Sequence, residues 1–424
     1  MGIQPGDNGT KRLTRISTSA GRLGPSASVR VPISIPPELD LGAFQHEIAS
    51  AYFFETYGWA PFWQHTMLAA ATDDAPAVNK ACLQAIVYGY AGMKRGDTAL
   101  CDRAGRLYGQ VLHEVKSLIG ASDKSELARL TVTLMLLDMY EFIVDKKVSE
   151  RLSHHLGIES ILQHCGPEFF QGPGLLQMFR SCRALLLCHN VYRRTRSFLQ
   201  DESWKTIPWE HEPKSFEDRL MDLFLDLPGI AQDLARDDAN LDGCLARLAA
   251  VSSALRAWRR DWDGAHNGSV RRVWLAAGVP PGLEFDSPPL ALDILYYNAA
   301  VVYLMQMEAA AAQMMSTAPP RGSHQQQQQQ EKQRQQSSEA AAEALVALAC
   351  IVRSLPTIRG RKTVVTPAPI GILYSMLQNQ NQMHALVQLI EGEFEDAKSI
   401  FGFYYAFPLE VLFGAASRFA PGTE

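Results

Sequence analysis

Apolar residues recur at spacings of three and four residues along most of this chain, from Leu41 onward. The clearest run is Leu127, Leu130, Leu134, Leu137 and Tyr140. This spacing places the side chains on one face of an α-helix, and the alternation typical of β-strands is nearly absent. Stripes of this kind must bury against one another, so we predict an all-α fold, a large multi-helix array or bundle.

Capping residues mark where some of these helices begin and end. Asp123 stands at the head of one apolar run, and Ser215 precedes Asp218 at the head of another. Both patterns are typical of helix N-termini, where a side-chain oxygen accepts from a free backbone N–H. Pro228 and Gly229 interrupt the second run, and we predict a kink or a break there because proline removes a helical hydrogen bond.

We divide the chain into four regions. Residues 1–38 form a basic tail that we predict to be disordered, because its charged residues follow no apolar period. Residues 39–316 form a helical domain, residues 317–338 a Gln-rich low-complexity insertion, and residues 339–424 C-terminal helices that complete the same domain. We interpret the tail as solvated, with nuclear import or weak phosphate contact as the alternative. The insertion is interpreted as a surface loop, with an activating segment as the alternative.

Composition and charge narrow the class of protein. Hydrophobic residues make up 47% of the chain, which is enough for a large core. The net charge of −5 offers no general attraction for phosphate, so contact with nucleic acid needs a local basic patch or a partner. The seven cysteines are dispersed, which is typical of free thiols in a reducing compartment. The most apolar segment, Ile294 to Met307, contains Asn298 and Gln306, and we predict a buried core helix and no membrane contact.

The familiar motifs of enzymes are missing from the sequence: it contains no Gly-x-Ser-x-Gly, no phosphate-binding Gly-rich loop and no His-Glu-x-x-His. The candidate metal ligands are adjacent pairs, His154 with His155, His164 with Cys165, and Cys188 with His189. Neighbours in a helix point about 100° apart and do not converge on one ion. We therefore predict no catalytic residue, no metal and no cofactor, and we interpret His189 as a core histidine.

The segment from Ser122 to Asp238 carries an ordered series of motifs. They are the Tyr140–Glu141 helix end, His154, His155 and Gly157, the Cys165–Gly166–Pro167 turn, Arg196–Ser197–Phe198–Leu199, Trp204, and Ile207–Pro208–Trp209. This order resembles the middle homology region of fungal-specific transcription factors, and further parallels extend the resemblance over roughly residues 40 to 415. Two departures are that Cys165 stands where that family commonly has arginine, and that Arg196 directly precedes Ser197.

The resemblance implies an all-helical regulatory domain in the nucleus, which switches transcription of metabolic or secondary-metabolite genes. That family usually reads DNA through a binuclear zinc cluster, which needs six closely spaced cysteines that these residues do not provide. We therefore expect indirect or weak DNA contact, pairing with a second copy or with a DNA-binding regulator, and control by a small-molecule effector. The alternatives are a helical scaffold derived from such a regulator and an enzyme with an undetected helical active site.

Two local features allow more than one interpretation. Trp204, Pro208 and Trp209 are interpreted as a packed connecting loop, with a ligand cage as the alternative. A second set consists of the arginines at positions 180, 183, 193, 194 and 196. Because they fall on more than one side of a helix, we predict a solvated surface with scattered ion pairs, and a basic face for acidic partners is the alternative.

Overall fold

The computed structural model describes residues 44–56, 61–118, 123–145, 148–236, 239–273 and 282–315, together with the isolated residues Gln328 and Gln335. The fold below belongs to the unit that begins at Gln45. The predicted basic tail, almost all of the Gln-rich insertion and the predicted C-terminal helices lie outside the described residues.

The described part of the chain contains eleven α-helices and two short strands, which confirms the predicted all-α class. The helices are α1 Gln45–Thr56, α2 Pro61–Ala70, α3 Ala77–Arg95, α4 Thr98–Leu118, α5 Lys124–Tyr140, α6 Val148–Cys165, α7 Pro173–Arg193, α8 Glu202–Thr206, α9 Phe216–Leu234, α10 Leu241–His266 and α11 Pro288–Met315. A π-turn, Glu141–Asp145, continues α5, and 3₁₀ turns lie at Pro167–Gln171, Phe198–Gln200 and Ile207–Trp209.

Helices that are neighbours in sequence pack against each other, α3 on α4, α5 on α6, and α9 on α10. Helix α7 contacts α9, α6 and α2, and α11 contacts both α9 and α10. The predicted α5 stripe lies in the interior, since Leu130, Leu134 and Leu137 are buried, as are Phe179 and Leu186 of α7. Each such side chain contributes about 1.5–3 kcal/mol by leaving water, and together they form one continuous core.

The predicted caps are present. The Asp123 side chain accepts from the backbone N–H of Glu126 at 2.9 Å, and Ser215 forms a capping box with Asp218. Of the kink or break predicted at Pro228, the break is wrong, because α9 continues from Phe216 to Leu234 through this residue, and the kink stays a prediction. Gln200 packs against this part of α9, since its Nε2 donates to the Leu225 carbonyl at 3.0 Å, within the turn that precedes the proline.

The sequence did not predict the small hairpin that joins α10 to α11. Strands β1 Val270–Val273 and β2 Gly282–Phe285 pair antiparallel, with Val270 opposite Phe285. Four-residue strands carry too little alternation to be seen in the sequence. Beyond the hairpin, Pro289–Glu308 of α11 is long and apolar enough to cross a membrane, but 67% of that window is buried inside the fold, as expected of the predicted core helix.

Candidate functional site

Five ionisable side chains meet in the interior where α5, the π-turn, α6 and α7 come together. They are Asp138, Glu141, His154, His155 and His189, and each is less than one-tenth exposed. Asp, Glu and His are rarely buried so deeply unless they are paired with each other. We call these five residues the carboxylate–histidine cluster, and its contacts make it the first candidate for a functional site.

Glu141 is the centre of one half of the cluster. It is the first residue of the π-turn and has no exposed surface. Its Oε1 lies 2.7 Å from His154 Nε2 and also accepts a hydrogen bond from the Tyr108 hydroxyl of α4. The Tyr108 ring stacks on Tyr140 with 4.4 Å between ring centroids, which fixes the hydroxyl over the carboxylate. Glu141 thus ties α4 and α6 to the end of α5.

Asp138, His155 and His189 form the other half of the cluster. Asp138 Oδ1 lies 2.9 Å from His155 Nε2, in a charge contact that lacks the geometry of a directed hydrogen bond. His155 Nδ1 lies 3.0 Å from His189 Nδ1, so one proton is shared between these two nitrogens. The carboxylate favours a proton on His155 Nε2, because negative charge stabilises the adjacent N–H.

The protonation state of His189 follows from its surroundings. The pKa of His189 is lowered to about 3, chiefly by burial and further by the charges of His155 and Arg193, while the charge of Asp138 acts in the opposite direction. His189 is therefore a neutral imidazole at physiological pH, and it matches the core histidine that the sequence predicted. Each histidine of the cluster contacts another member of the cluster. These contacts hold α5, α6 and α7 in place relative to one another.

The predicted ligand pairs do not converge. His154 and His155 are adjacent, and each faces a different carboxylate. His164 is exposed while Cys165 is buried, so these two point apart. In the described part of the chain, no group of three or more His, Cys, Asp or Glu is arranged to hold a metal ion.

Arg180 and Arg183 form a second polar network between α7 and α9. Arg180 Nη2 lies 2.9 Å from Asp218 Oδ2, and Arg183 contacts both Asp218 and Asp222. Burial alone raises the pKa of Asp218, but the hydrogen bond from Arg180 and the two arginine charges outweigh it, so the pKa falls below its usual range. Arg183 is only 2% exposed, which corrects the prediction of a solvated arginine surface at this position.

The tryptophans of the Trp204–Trp209 loop pack as the connecting-loop interpretation predicts. Both rings are buried, and both lie beside Phe179 of α7, at 5.7 and 5.4 Å between centroids. The Arg183 guanidinium sits 4.6 Å from the Trp209 ring centroid and Lys214 lies 4.8 Å from it. A ring covered by two cations of its own chain is a packing element, and the loop is pinned against α7.

A cavity of about 380 Å³ opens between the end of α9 and the start of α10. Asp233, Arg236, Asn240 and Arg247 are among the residues that line it. Asp233 lies 2.6 Å from Arg247, and hydrogen bonds from Arg247 and Arg196 contribute to a lowered pKa of Asp233 despite burial, which acts in the opposite direction. The carboxylate already neutralises much of the positive charge at this cavity.

The sequence pointed to some of these residues and missed others. Glu141 and His154 appear among the motifs of the resemblance, but their mutual contact was not predicted. Asp138 and Tyr108 were missed. A signal for Asp138 existed, because an aspartate one position after Leu137 in a fully apolar stretch has to find a partner inside the fold.

Comparison of the chain with protein-family models, with curated proteins and with solved structures finds no match.

Proposed function

We propose that this chain is a transcriptional regulatory domain similar to the middle homology region of fungal-specific transcription factors. Its output is control of metabolic or secondary-metabolite genes, and it acts in the nucleus through a bound effector or partner. One observation carries the proposal: the residues of the ordered motif series have core-building contacts. Glu141 pairs with His154, and Trp204 and Trp209 both pack beside Phe179.

The physical basis of regulation in such a domain is a change in helix packing. A ligand shifts a conformational equilibrium only if it contacts the two states differently. The cluster and the arginine network join α7 to α5, α6 and α9, so a molecule that moves α7 changes both sets of buried contacts. Buried networks of this kind favour discrete arrangements over gradual ones, because a half-formed network leaves charges unpaired.

Contact with DNA is proposed to be indirect. The six cysteines of the described residues are spread over five helices, with Cys182 and Cys188 both on α7. Arg183 of α7 is buried against Asp218, and the exposed Arg196 beyond the end of α7 pairs with Asp233, so both guanidinium groups already have a carboxylate partner. Pairing with a second copy or with a DNA-binding regulator would supply the contact.

The experiment is to fuse the full chain to a heterologous DNA-binding domain and to measure transcription of a reporter that carries the matching sites. We expect the fusion to change reporter output several-fold relative to the DNA-binding domain alone, with a response to carbon or nitrogen source. Output equal to that of the DNA-binding domain under every condition contradicts the proposal. A helical scaffold is the second candidate, and exclusion of a fluorescently tagged chain from the nucleus would favour it.

A further inference from the structure

The cavity between the end of α9 and the start of α10 is lined by charges of both signs. Its volume is about 380 Å³, and its lining includes Asp233 of α9, Arg236 just beyond that helix and Arg247 of α10. Small ligands usually bind in clefts where a few polar groups converge. The donors and acceptors that the protein itself leaves unused at this cavity indicate what such a ligand carries.

Asp233 uses only one of its two carboxylate oxygens. Its Oδ2 accepts from Arg247 Nη2 at 2.6 Å and from Arg196 Nη2 at 2.5 Å, while its Oδ1 accepts from none of the described residues. Burial raises the pKa of Asp233, but the hydrogen bonds from Arg247 and Arg196 outweigh it, so the pKa falls and the carboxylate stays charged. Oδ1 is therefore an ionised acceptor that suits a cationic donor.

Arg247 keeps donors of its own beside that acceptor. Its Nη2 donates to Asp233 and lies 3.4 Å from Cys244 Sγ, whereas its Nε and Nη1 donate to no residue in the described part of the chain. A guanidinium has five N–H groups in all. Arg236 brings a second positive charge to the lining, and the N-terminal end of α10 carries the positive end of the helix dipole. These groups suit a carboxylate.

One face of α10 borders the cavity. The lining residues of this helix are spaced by three, one and three positions, and they are Asn240 at its N-cap, Gly243, Cys244 and Arg247. Asp242 lies on the opposite side of the helix, so its charge points away from the cavity. Residues 237 and 238, both aspartates, lie outside the described residues. Ala239 and Cys244 add apolar surface to the lining.

We propose that this cavity binds a free α-amino acid with a small apolar side chain. Its ammonium group donates to Asp233 Oδ1, its carboxylate accepts from Arg247, and its side chain lies against Ala239 and Cys244. Asp233 and Arg247 are in contact, so an acceptor and a set of donors stand side by side, as the two charges of a zwitterion do. As an effector site, the cavity rests on the proposed regulatory function.

The two charges of the ligand have to occur together. A plain anion would be repelled by the Asp233 carboxylate, and a plain amine would be repelled by the guanidinium groups of Arg236 and Arg247. A zwitterion avoids both repulsions, because each of its charged groups meets the opposite charge on the protein. The cavity therefore distinguishes an amino acid from the corresponding acid and from the corresponding amine.

The test is isothermal titration of the purified full chain with L-leucine and two analogues. Isocaproate lacks the ammonium group of leucine, and isoamylamine lacks its carboxylate. We expect leucine to bind about tenfold more tightly than either analogue, because each analogue loses one charge-assisted contact and keeps one repulsion. Equal affinities for leucine and isocaproate would make this a site for plain anions and would overturn the proposal, as would the absence of leucine binding.

Two variants assign the two contacts. Asp233→Asn should weaken leucine about tenfold and tighten isocaproate, because the ammonium loses its acceptor while the carboxylate loses a repelling charge. Arg247→Gln should weaken leucine and isocaproate alike. Asp242→Asn and Arg260→Gln are the controls, since both residues are exposed on the opposite side of α10, and both variants should keep the wild-type affinity for leucine.

Circular dichroism and the melting temperature show whether each variant is folded before it is titrated. Unchanged leucine affinity in folded Asp233→Asn, or in folded Arg247→Gln, overturns the site. A change in affinity in both controls as large as that in Asp233→Asn and Arg247→Gln overturns it as well, because the effect would then not depend on the cavity. These titrations need no reporter, so a silent reporter with intact leucine binding would reject the proposed function and keep the site.

Discussion

Glu141 Oε1 and His154 Nε2 lie 2.7 Å apart in the interior, where the Tyr108 hydroxyl completes the contact. Glu141 is the first residue of the π-turn that follows α5 and has no exposed surface, and His154 lies within α6. A buried carboxylate in that position is stable only because the fold holds the His154 ring and the Tyr108 hydroxyl in place as its partners. The pair therefore connects the π-turn after α5 to helix α6.

Removal of one partner should show this link. We expect Glu141→Ala to lower the free energy of unfolding by about 3 kcal/mol, because it leaves the buried His154 and the partly buried Tyr108 hydroxyl without their acceptor. The exposed Glu114 of α4 offers a matched control, and Glu114→Ala should change stability by less than about 0.5 kcal/mol. Denaturation in urea measures both. Equal midpoints for the two variants would mean that the pair does not stabilise the fold.

The pH dependence of stability should report His189. Its folded pKa of about 3 lies below the ordinary value of 6.5. The unfolded chain then binds a proton that the folded chain refuses, so stability falls as the pH drops from 6.5 toward 3. The contribution of one such group is at most about 1.4 kcal/mol per pH unit.

His189→Asn tests this assignment, because its amide can occupy the position of the ring Nδ1 and does not titrate. We expect the stability of this variant to depend less steeply on pH between 6.5 and 4 than that of the wild type, whereas the exposed His164→Asn keeps the wild-type slope. Denaturation curves at a series of pH values give the slopes. Parallel slopes in wild type and His189→Asn would show that His189 is not held neutral in the fold.

Arg183, the buried arginine of α7, should contribute strongly to the stability of the fold. We expect Arg183→Met to destabilise the chain by about 3 kcal/mol, because Asp218 and Asp222 lose a buried partner and Trp209 loses one of the two cations over its ring. Arg106→Ala on the exposed face of α4 is the control. A loss of stability no larger than that of Arg106→Ala would mean that Asp218 and Asp222 do not need Arg183 as a partner, as expected if solvent reached them.

Gly229 and Gln200 should be energetically coupled. A Cβ at Gly229 would lie 2.4 Å from Gln200 Nε2, which donates to the Leu225 carbonyl. Gly229→Ala gains about 1 kcal/mol of helix propensity but displaces that hydrogen bond, so we expect little net change in wild type. In a Gln200→Ala background the same substitution should stabilise the chain by about 0.5–1 kcal/mol. Additive effects in this double-mutant cycle would contradict the contact.

The sequence predicted the features that depend on the spacing of residues close together in the chain. The α5 stripe, the Asp123 and Ser215 caps and the buried character of α11 all follow from residues within a few turns of one another. The break at Pro228 did not occur, and Gln200, which donates to the Leu225 carbonyl of the same helix, lies 25 residues away in the sequence. No local pattern contains that contact.

The candidate site was harder to predict for the same reason. Asp138, His155 and His189 come from three helices, and their contacts depend on how α5, α6 and α7 cross. The sequence identifies His189 as a core histidine but does not indicate which side chain it contacts. The same limit applies to Arg183, whose neighbours in sequence suggested a surface while its neighbours in space are aspartates of α9.

The central proposal is that this helical array regulates transcription by binding an effector or a partner. Reporter output should be measured for the tethered full chain, for Glu114→Ala and for Glu141→Ala, at abundances equalised by immunoblot. We expect the wild type and Glu114→Ala to change output equally and several-fold, and Glu141→Ala to lose most of that change. Wild-type output indistinguishable from that of the DNA-binding domain alone would contradict the account.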